Sequence, residues 1–273
     1  MKNIGIIGFG NMGEAFAAGL RNKFGSANFG VVEKVAARME VAVGSYAARD
    51  FTGDFRGLLD FADVTIIAVK PQDAALVVRE LGPYSKGRKF VAIVAGKPLA
   101  FYREYLKTPY LARCMPNIAA MYQKAAVGVC FPGAQGDVRK FEVFRGEVLD
   151  LVSAAGEAWE IPEGLMPVIT GLSGSGIAYV FAFVHALAMG GVKAGLGYER
   201  SRDVAVRVLE GAAAVLRGTK DSPANLIAKV CSPAGTTVAG IEVLEEAAFT
   251  AAVMRAVGEA ASRAEQMEGV QND

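Results

Sequence analysis

Three glycines near the amino terminus have the spacing of a turn that binds the pyrophosphate of a dinucleotide. Gly8, Gly10 and Gly13 follow a short apolar stretch and precede Glu14–Leu20, where apolar residues recur at helical spacing. The first glycine permits the tight turn, the second lets the backbone approach the pyrophosphate, and the third lets the helix pack on the strand. The helix N-terminus then faces the anion. The cofactor-binding residues predicted here are Gly8, Phe9, Gly10, Asn11, Met12 and Gly13.

An acidic and a basic residue stand where the ribose of such a cofactor is read. Glu33 lies about 20 residues after Gly13, at the end of the second predicted strand, where an acidic residue accepts hydrogen bonds from the ribose hydroxyls of NAD. Lys34 follows directly and is able to meet the 2′-phosphate of NADP instead. The two residues leave NAD and NADP both open.

A loop in the last third of the chain concentrates hydroxyl groups just before a predicted helix. Ser232, Thr236 and Thr237 lie in the segment 231–237 together with Gly235. Successive backbone N–H groups at a helix start bind an anion such as a carboxylate, and hydroxyls add directed hydrogen bonds. An ordinary Ser/Thr N-cap has the same composition, so both interpretations stay open from the residues alone.

Two strand ends in the first half break sharply and are candidates for the nicotinamide side of the site. Val69, Lys70 and Pro71 close a buried apolar strand, and Met115 and Asn117 flank a second proline break. Proline cannot continue a central strand, so the chain must turn there. A proline that simply marks an ordinary loop after a strand explains the same pattern.

A small-residue segment, 171–176, contains Ser175 and opens a long apolar helix. Small residues allow a ligand or another backbone to come close, and Ser175 is therefore a candidate substrate contact. Tight packing of the helix end on the first domain is the competing interpretation.

The residues for acid–base chemistry are scarce. His185 is the single histidine and lies in an apolar helix, where we expect a buried histidine with its hydrogen bonds satisfied. Interconversion of a hydroxyl and a carbonyl usually needs a histidine or lysine as acid–base. Reduction of a protonated imine is less demanding, and a hydroxyl such as that of Thr237 would suffice to orient the nitrogen.

The elements that position these residues divide into two regions. Up to residue 162, apolar β-rich stretches alternate with helical ones, which predicts an α/β Rossmann-like doubly wound parallel sheet. The strand ends at Gly8, Glu33, Val69 and Ala95 should then lie at one edge. Residues 163–273 predict an all-α dimerisation and substrate-binding domain, with a buried helix over 172–189 and one long helix over 240–267.

Composition excludes several classes of protein. The chain has 273 residues, a net charge of +1 and no basic run, which argues against nucleic acid or an anionic membrane as partner. Its three cysteines are widely spaced, so we expect neither a disulfide framework nor a metal site. The apolar run 177–189 is too short to cross a bilayer, and no signal peptide is evident. A cytoplasmic enzyme with a small-molecule substrate is expected.

At these motifs the chain resembles the pyrroline-5-carboxylate reductases, over nearly its whole length. The glycine-rich turn is shared with many other families, whereas the Gly-Ser-Gly and Ser-Pro-x-Gly-Thr-Thr segments in this order are specific. The segments that carry the resemblance are 8–13, 68–71, 113–117, 171–176 with 178–179, 190–196, and 231–233 with 235–237.

The resemblance implies a Rossmann domain followed by a helical dimerisation domain, with a homodimer that can assemble into a decameric ring. It implies hydride transfer from NADPH or NADH to the imine carbon of 1-pyrroline-5-carboxylate, giving L-proline in the last step of proline biosynthesis. The family's substrate-carboxylate loop falls on 232–237, and its hydroxyl beside the ring nitrogen falls on Thr237. Its nicotinamide-side contacts fall on Val69, Lys70, Pro71, Ala95, Met115 and Asn117.

Departures from the family pattern leave room for another cyclic imine as substrate, and one of them is the replacement of an acidic residue near His185. Ile177 replaces a proline, Ala234 replaces a glycine, and Ser222 replaces a histidine. Ala234 adds a Cβ where the backbone conformation is expected to be special.

Two further classes remain as alternatives. A β-hydroxyacid dehydrogenase shares the two-domain plan, but the residues after Gly176 include no lysine where that chemistry needs one. A non-catalytic dinucleotide-binding regulator would use the loop 231–237 only as a helix cap and would bind cofactor without turnover.

Overall fold

The structure, a computed structural model, describes residues 2–133 and 136–269, which form two compact units. The first unit comprises the described residues of 1–174 and 260–273, and the second comprises 175–259. The domain boundary expected between residues 162 and 163 stays a prediction.

The first unit contains a Rossmann-like sheet, as the sequence predicts. Over the described residues it has eight strands in the order β3-β2-β1-β4-β5-β6-β7-β8. All neighbouring pairs among them are parallel except β6 with β7. The strands are β1 (Asn3–Ile7), β2 (Asn28–Val32), β3 (Arg49–Asp50), β4 (Val64–Ile67), β5 (Phe90–Ala92), β6 (Leu111–Met115), β7 (Ala125–Cys130) and β8 (Gly156–Glu160).

Helices cover both faces of this sheet. Successive residues of one strand point into two separate apolar clusters: Ile66 joins one and Ile67 the other, as do Ile6 and Ile7 of β1. Both faces are therefore buried, which explains why these strands are continuous apolar runs. The helices of the first unit are α1 (Asn11–Phe24), α2 (Ala36–Tyr46), α3 (Phe55–Phe61), α4 (Ala74–Leu81), α5 (Leu99–Tyr105), α6 (Val138–Val152) and α7 (Met166–Ile169).

The pairing of β6 with β7 differs from the predicted all-parallel sheet. Arg113 lies opposite Cys130 in an antiparallel register. The segment 116–124 holds a short 3₁₀ turn and no crossover helix, and a parallel connection needs a dozen residues or more. Strands β3 and β8 carry no long β-branched run, so neither was predicted from the sequence.

The second unit is helical, as expected. The predicted single helix over 240–267 is wrong, because the chain breaks at Ala247 and Ala248, and Ala248 has a φ of 52° in the left-handed region. The helices are α8 (Gly176–Lys193), α9 (Tyr198–Gly218), α10 (Pro223–Val230), α11 (Thr236–Glu246) and α12 (Phe249–Gly269). The last of these begins in the second unit and ends in the first.

Helix α8 is not buried in the single chain, which corrects the prediction for 172–189. Ala188 is its one buried residue, while Phe181, Leu187 and Met189 are exposed. His185 is exposed as well, so the expectation of a buried histidine is also wrong for the single chain. An apolar helix that its own unit leaves uncovered needs another surface to cover it.

The same region forms a helical stretch, 163–193, that is long and apolar enough to cross a membrane by length and composition. The apolar run 177–189, which by itself is too short to cross a bilayer, covers only part of this helical stretch. Core and interface helices of soluble proteins have the same composition, so the expectation of no membrane partner stays a prediction.

Candidate cofactor and substrate site

The three glycines after β1 meet three different steric requirements. Gly8 has a φ of 91°, and a Cβ there would lie 2.7 Å from the carbonyl oxygen of Ala68. A Cβ on Gly13 would lie 2.2 Å from the carbonyl oxygen of Gly8, so helix and turn pack backbone to backbone. A Cβ on Gly10 would meet nothing within 4 Å. Open space at the middle glycine is what the approach of a pyrophosphate requires.

The first turn of α1 offers its N–H groups to an anion. Gly10 is the N-cap, and no side chain accepts a hydrogen bond there. The amides of Met12 and Gly13, to which a Ser or Asp cap would bind, therefore have no side-chain partner, and the positive end of the helix dipole adds to the attraction. Phe9 is buried and its ring packs edge-on against Tyr46, with centroids 5.5 Å apart. The side chain of Phe9 is thus committed to the core, and only its backbone lines the turn.

Glu33 lies beside this turn and is held by it. One carboxylate oxygen accepts from the Phe9 amide at 2.6 Å and the other from the Val35 amide at 2.8 Å. Lys34 is exposed and pairs with Asp73 at 2.8 Å. The structure thus brings Glu33 to the glycine-rich turn and directs Lys34 to the start of α4.

Arg38, on α2, belongs to this edge and was missed in the sequence. Its Nε donates to the carbonyl oxygen of Phe9 at 2.8 Å, and a terminal nitrogen donates to Glu14 at 2.6 Å. It ties the glycine-rich turn to α1 and α2. An arginine in an amphipathic helix has the ordinary composition of a solvated face, so no sequence pattern singled it out.

The loops after β4 and β5 lie at the same edge as Gly8. The register places Ile7 beside Ile67 and Ile67 beside Ala92, so the segments that follow emerge together. Lys70 is exposed there and precedes a 3₁₀ turn, Pro71–Asp73. Val69 and Ala95 are half-buried. The predicted convergence of these strand ends is confirmed, and their contact with a nicotinamide stays a prediction.

Met115 ends β6, Asn117 follows two residues later, and both make contacts within the protein. The Asn117 oxygen accepts from the Ala119 amide at 3.1 Å, and its nitrogen donates to the backbone and hydroxyl oxygens of Ser173 at 3.1 and 3.2 Å. A Cβ on Gly174 would lie 3.2 Å from the methyl group of Met115, so the two residues are close together. Asn117 therefore positions the segment that leads to Ser175, and direct binding of cofactor by Asn117 stays a prediction.

A buried ionic cluster behind this edge was not predicted. Arg113 of β6 is 2% exposed and pairs with Glu268 of α12 and, at 3.5 Å, with Glu163. Burial raises the pKa of the neighbouring Cys130 thiol to about 12, with Glu163 as a smaller cause. Burial also raises the pKa of Tyr102. The cluster fastens the end of α12 to the sheet.

The hydroxyl-rich loop of the second unit is not an ordinary Ser/Thr cap. Gly235 is the N-cap of α11 and no side chain caps this helix, which contradicts the capping alternative. By contrast, Ser222 caps α10 by accepting from the Asn225 amide at 3.2 Å. Uncapped amides beside hydroxyls are the arrangement an anion needs.

The conformation of this loop explains its glycine and singles out its alanine. A Cβ on Gly235 would lie 2.2 Å from the Ser232 hydroxyl oxygen. Ala234 has a φ of 53°, in the left-handed region that favours glycine, so the expectation of a special backbone there is confirmed. Thr236 is exposed and Thr237 is half-buried in the first turn of α11.

Ser175 precedes α8 directly after a π-helical turn, Thr170–Gly174. It is half-buried. Such turns occur often at functional sites, and the role of Ser175 stays a prediction. Within the described part of the chain no group of three or more His, Cys, Asp or Glu side chains is arranged to hold a metal ion.

A largely parallel sheet with an uncapped glycine-rich turn and an acidic residue at the next strand end defines a Rossmann-type dinucleotide-binding protein. Two family models match this chain: NADP oxidoreductase coenzyme F420-dependent over residues 3–96, and pyrroline-5-carboxylate reductase dimerisation over residues 163–267. They match the two regions separately.

Full-length relatives make the family specific. The chain is 36% identical over 265 residues to the pyrroline-5-carboxylate reductase of Aquifex aeolicus, covering 97% of each chain. It superposes with a TM-score of 0.88 on that of Coxiella burnetii, at 26% identity, covering 97% of this chain and 98% of the other. The NADP-bound enzyme of Plasmodium falciparum shares the fold, with a TM-score of 0.84 at 24% identity and 98% coverage of both. The chain belongs to the pyrroline-5-carboxylate reductase family.

Proposed function

We propose that this protein is an oxidoreductase that reduces the cyclic imine 1-pyrroline-5-carboxylate to L-proline with NADPH or NADH. The observation that carries the proposal is the 36% identity to a pyrroline-5-carboxylate reductase over 97% of both chains. The uncapped loop 232–237 supports it independently, because its amides and hydroxyls suit a substrate that carries a carboxylate.

The turn after β1 fits a nicotinamide dinucleotide. A Cβ at Gly10 would occupy the open space that a pyrophosphate needs, and the amides of Met12 and Gly13 have no capping side chain. Glu33 keeps acceptor capacity for ribose hydroxyls, since a carboxylate has about four acceptor sites and two are used. When bound, the reduced nicotinamide supplies the hydride.

The second unit would hold and orient the substrate. We assign the substrate carboxylate to the N–H groups at the start of α11 and to the hydroxyls of Ser232 and Thr236. The Thr237 hydroxyl accepts a hydrogen bond from the protonated imine nitrogen and so fixes which carbon faces the hydride. The proton is already on the nitrogen, so no strong acid is needed, and the exposed His185 is not required.

A specific observation favours one alternative, reduction of a different cyclic imine. Ala234 adopts a left-handed conformation with a Cβ beside the proposed carboxylate site, where the family pattern has glycine. A side chain at this position could change which ring the site accepts. The β-hydroxyacid dehydrogenase alternative loses its basis, because the chain matches another family over its whole length.

We further propose a cytoplasmic homodimer that assembles into a decameric ring and has neither nucleic acid nor membrane as partner. Support comes from the dimerisation family model over 163–267 and from the uncovered apolar face of α8. A second copy of the chain supplies a matching apolar surface and would remove this face from water.

The test follows NADPH and NADH oxidation at 340 nm with and without 1-pyrroline-5-carboxylate, with proline identified among the products. Imine-dependent oxidation with proline formation is expected. Turnover only with a six-membered cyclic imine would show that this imine, and not 1-pyrroline-5-carboxylate, is the substrate. Cofactor binding without turnover of either ring would favour a non-catalytic regulator.

A further inference from the structure

The cleft beside Glu33 carries information on which dinucleotide the protein uses. It is lined by parts of α2 and by the ends of β2 and β3, next to the glycine-rich turn. Its charged lining among the described residues is Glu33, Glu40 and Asp50 against Lys34. A ribose 2′-hydroxyl and a 2′-phosphate differ by about two negative charges, so this balance bears on the choice between NAD and NADP.

The Glu33 carboxylate is fixed in place. It accepts from the amides of Phe9 and Val35 at 2.6 and 2.8 Å, one on each oxygen. Rotation away from the cleft would break both charge-assisted hydrogen bonds and leave the Phe9 amide without its acceptor. A 2′-phosphate would therefore meet a negative charge that cannot move aside, whereas a 2′-hydroxyl can donate to its remaining acceptor sites.

The cations that would balance a phosphate are already engaged. Lys34 pairs with Asp73 at 2.8 Å, and Arg38 donates to Glu14 at 2.6 Å and to the Phe9 carbonyl at 2.8 Å. Recruiting Arg38 for a phosphate would leave Glu14 unpaired and break the bond to the turn, whereas the exposed pair with Asp73 holds Lys34 only weakly.

We infer that this protein prefers NADH to NADPH, and that the Glu33 carboxylate is the residue that discriminates. The inference rests on the proposed use of a nicotinamide dinucleotide and goes beyond it by naming the cofactor. It runs against the NADP in the description of the matched N-terminal family model. Glu33 acts both by accepting from the ribose hydroxyls and by repelling a 2′-phosphate.

The test is equilibrium binding of NAD⁺ and NADP⁺ to the full-length protein by calorimetry, with no imine present. We expect NAD⁺ to bind at least about tenfold more tightly. In Glu33→Gln the ratio of the two Kd values should fall by about tenfold or more, mainly through tighter NADP⁺ binding. Displacement of the turn by the substitution would weaken the binding of both dinucleotides alike, so the ratio of the two Kd values isolates the effect of the charge. A thermal melt verifies that the variant is folded.

Glu40→Gln is the matched control, because Glu40 lines the same cleft but no hydrogen bond holds it to the turn. We expect it to change the ratio less than about threefold, the effect of a screened surface charge. Tighter binding of NADP⁺ than NAD⁺ by the unmodified protein would overturn the inference. An equal response of the two variants would overturn the role of Glu33. Neither outcome depends on turnover of 1-pyrroline-5-carboxylate, so failure of the proposed function is recognised separately.

Discussion

At the scale of single residues, the proposed mechanism concentrates on Thr237. It is half-buried in the first turn of α11, next to amides that no side chain caps. Its hydroxyl can orient an imine nitrogen while the neighbouring N–H groups hold a carboxylate. The chemistry asked of this residue is one positioned hydrogen bond, and the effect of its removal should match that.

Thr237→Ala is expected to lower kcat/KM by about ten- to a thousandfold, in line with the loss of one positioned hydrogen bond in the transition state. Thr237→Ser keeps the hydroxyl and should retain activity within about threefold. Steady-state kinetics with saturating cofactor measures both. A change within twofold for the alanine variant would remove Thr237 from the mechanism.

Cys130 makes stability depend on alkaline pH. Burial, with Glu163 as a smaller cause, raises the pKa of its thiol from 9.0 to about 12. Between these values the unfolded chain releases the proton and the folded chain keeps it. The free energy of unfolding should therefore fall as pH rises from about 9 to about 12, by up to about 1.4 kcal/mol per pH unit for this thiol.

Denaturant unfolding at several pH values from 8 to 11 measures this slope. Cys130→Ala should show a shallower decline than the unmodified protein. Cys231→Ala is the control, since Cys231 is only half-buried, and its slope should match the unmodified protein. Identical slopes for all three proteins would contradict the assignment to Cys130.

At the scale of elements, different glycines of the turn between β1 and α1 serve the packing of the fold and the binding of the cofactor. Gly13 faces the Gly8 carbonyl oxygen, whereas Gly10 faces open space. Replacement by alanine should therefore mainly destabilise the fold at Gly13 and mainly weaken dinucleotide binding at Gly10. This contrast follows from local geometry and needs no knowledge of the substrate.

Gly13→Ala is expected to destabilise the protein by about 2 kcal/mol, because its Cβ would lie 2.2 Å from a backbone oxygen. Gly10→Ala should cost less than about 1 kcal/mol yet weaken dinucleotide binding at least about tenfold. Thermal unfolding and calorimetric titration with NAD⁺ and NADP⁺ distinguish the two. Full cofactor affinity in Gly10→Ala would contradict the placement of the pyrophosphate.

The sequence predicted those elements whose residues obey a local rule. Each glycine of the turn meets its own steric requirement, and the run Val64–Ile67 is buried on both faces, so both features are visible in short windows of sequence. The bond from Arg38 to the Phe9 carbonyl and the pairing of Arg113 with Glu268 join distant positions and leave no periodic pattern. The break at Ala248 was missed because alanine rarely adopts a left-handed conformation.

At the scale of the whole molecule, the exposure of α8 is the main difference from expectation. An apolar sequence predicts burial, but it does not say whether the same chain or a second copy provides the cover. In the single chain Phe181 remains 59% exposed, so the cover must come from elsewhere. The dimerisation family model over 163–267 indicates a second copy.

Phe181→Glu is expected to convert the assembly to smaller species, because a charge placed at an apolar interface loses its hydration when the copies associate. Val143→Glu on α6 is the matched control, since Val143 is equally exposed at 61% but lies in the first unit. Light scattering at micromolar concentration should show at least a dimer for the unmodified protein and the control. A monomer for the unmodified protein would contradict the proposed assembly.

Helix α12 belongs to both compact units: it starts in the helical one and ends with Glu268 paired to the buried Arg113 of the sheet. A fragment ending at residue 174 would therefore leave Arg113 without this carboxylate, a costly state for a buried cation. The protein is consequently not a pair of exchangeable modules. A chimera that combines its first unit with the helical region of a relative would have to keep residues 260–269 together with the sheet. The part taken from this protein would therefore be encoded by two separate stretches of its gene.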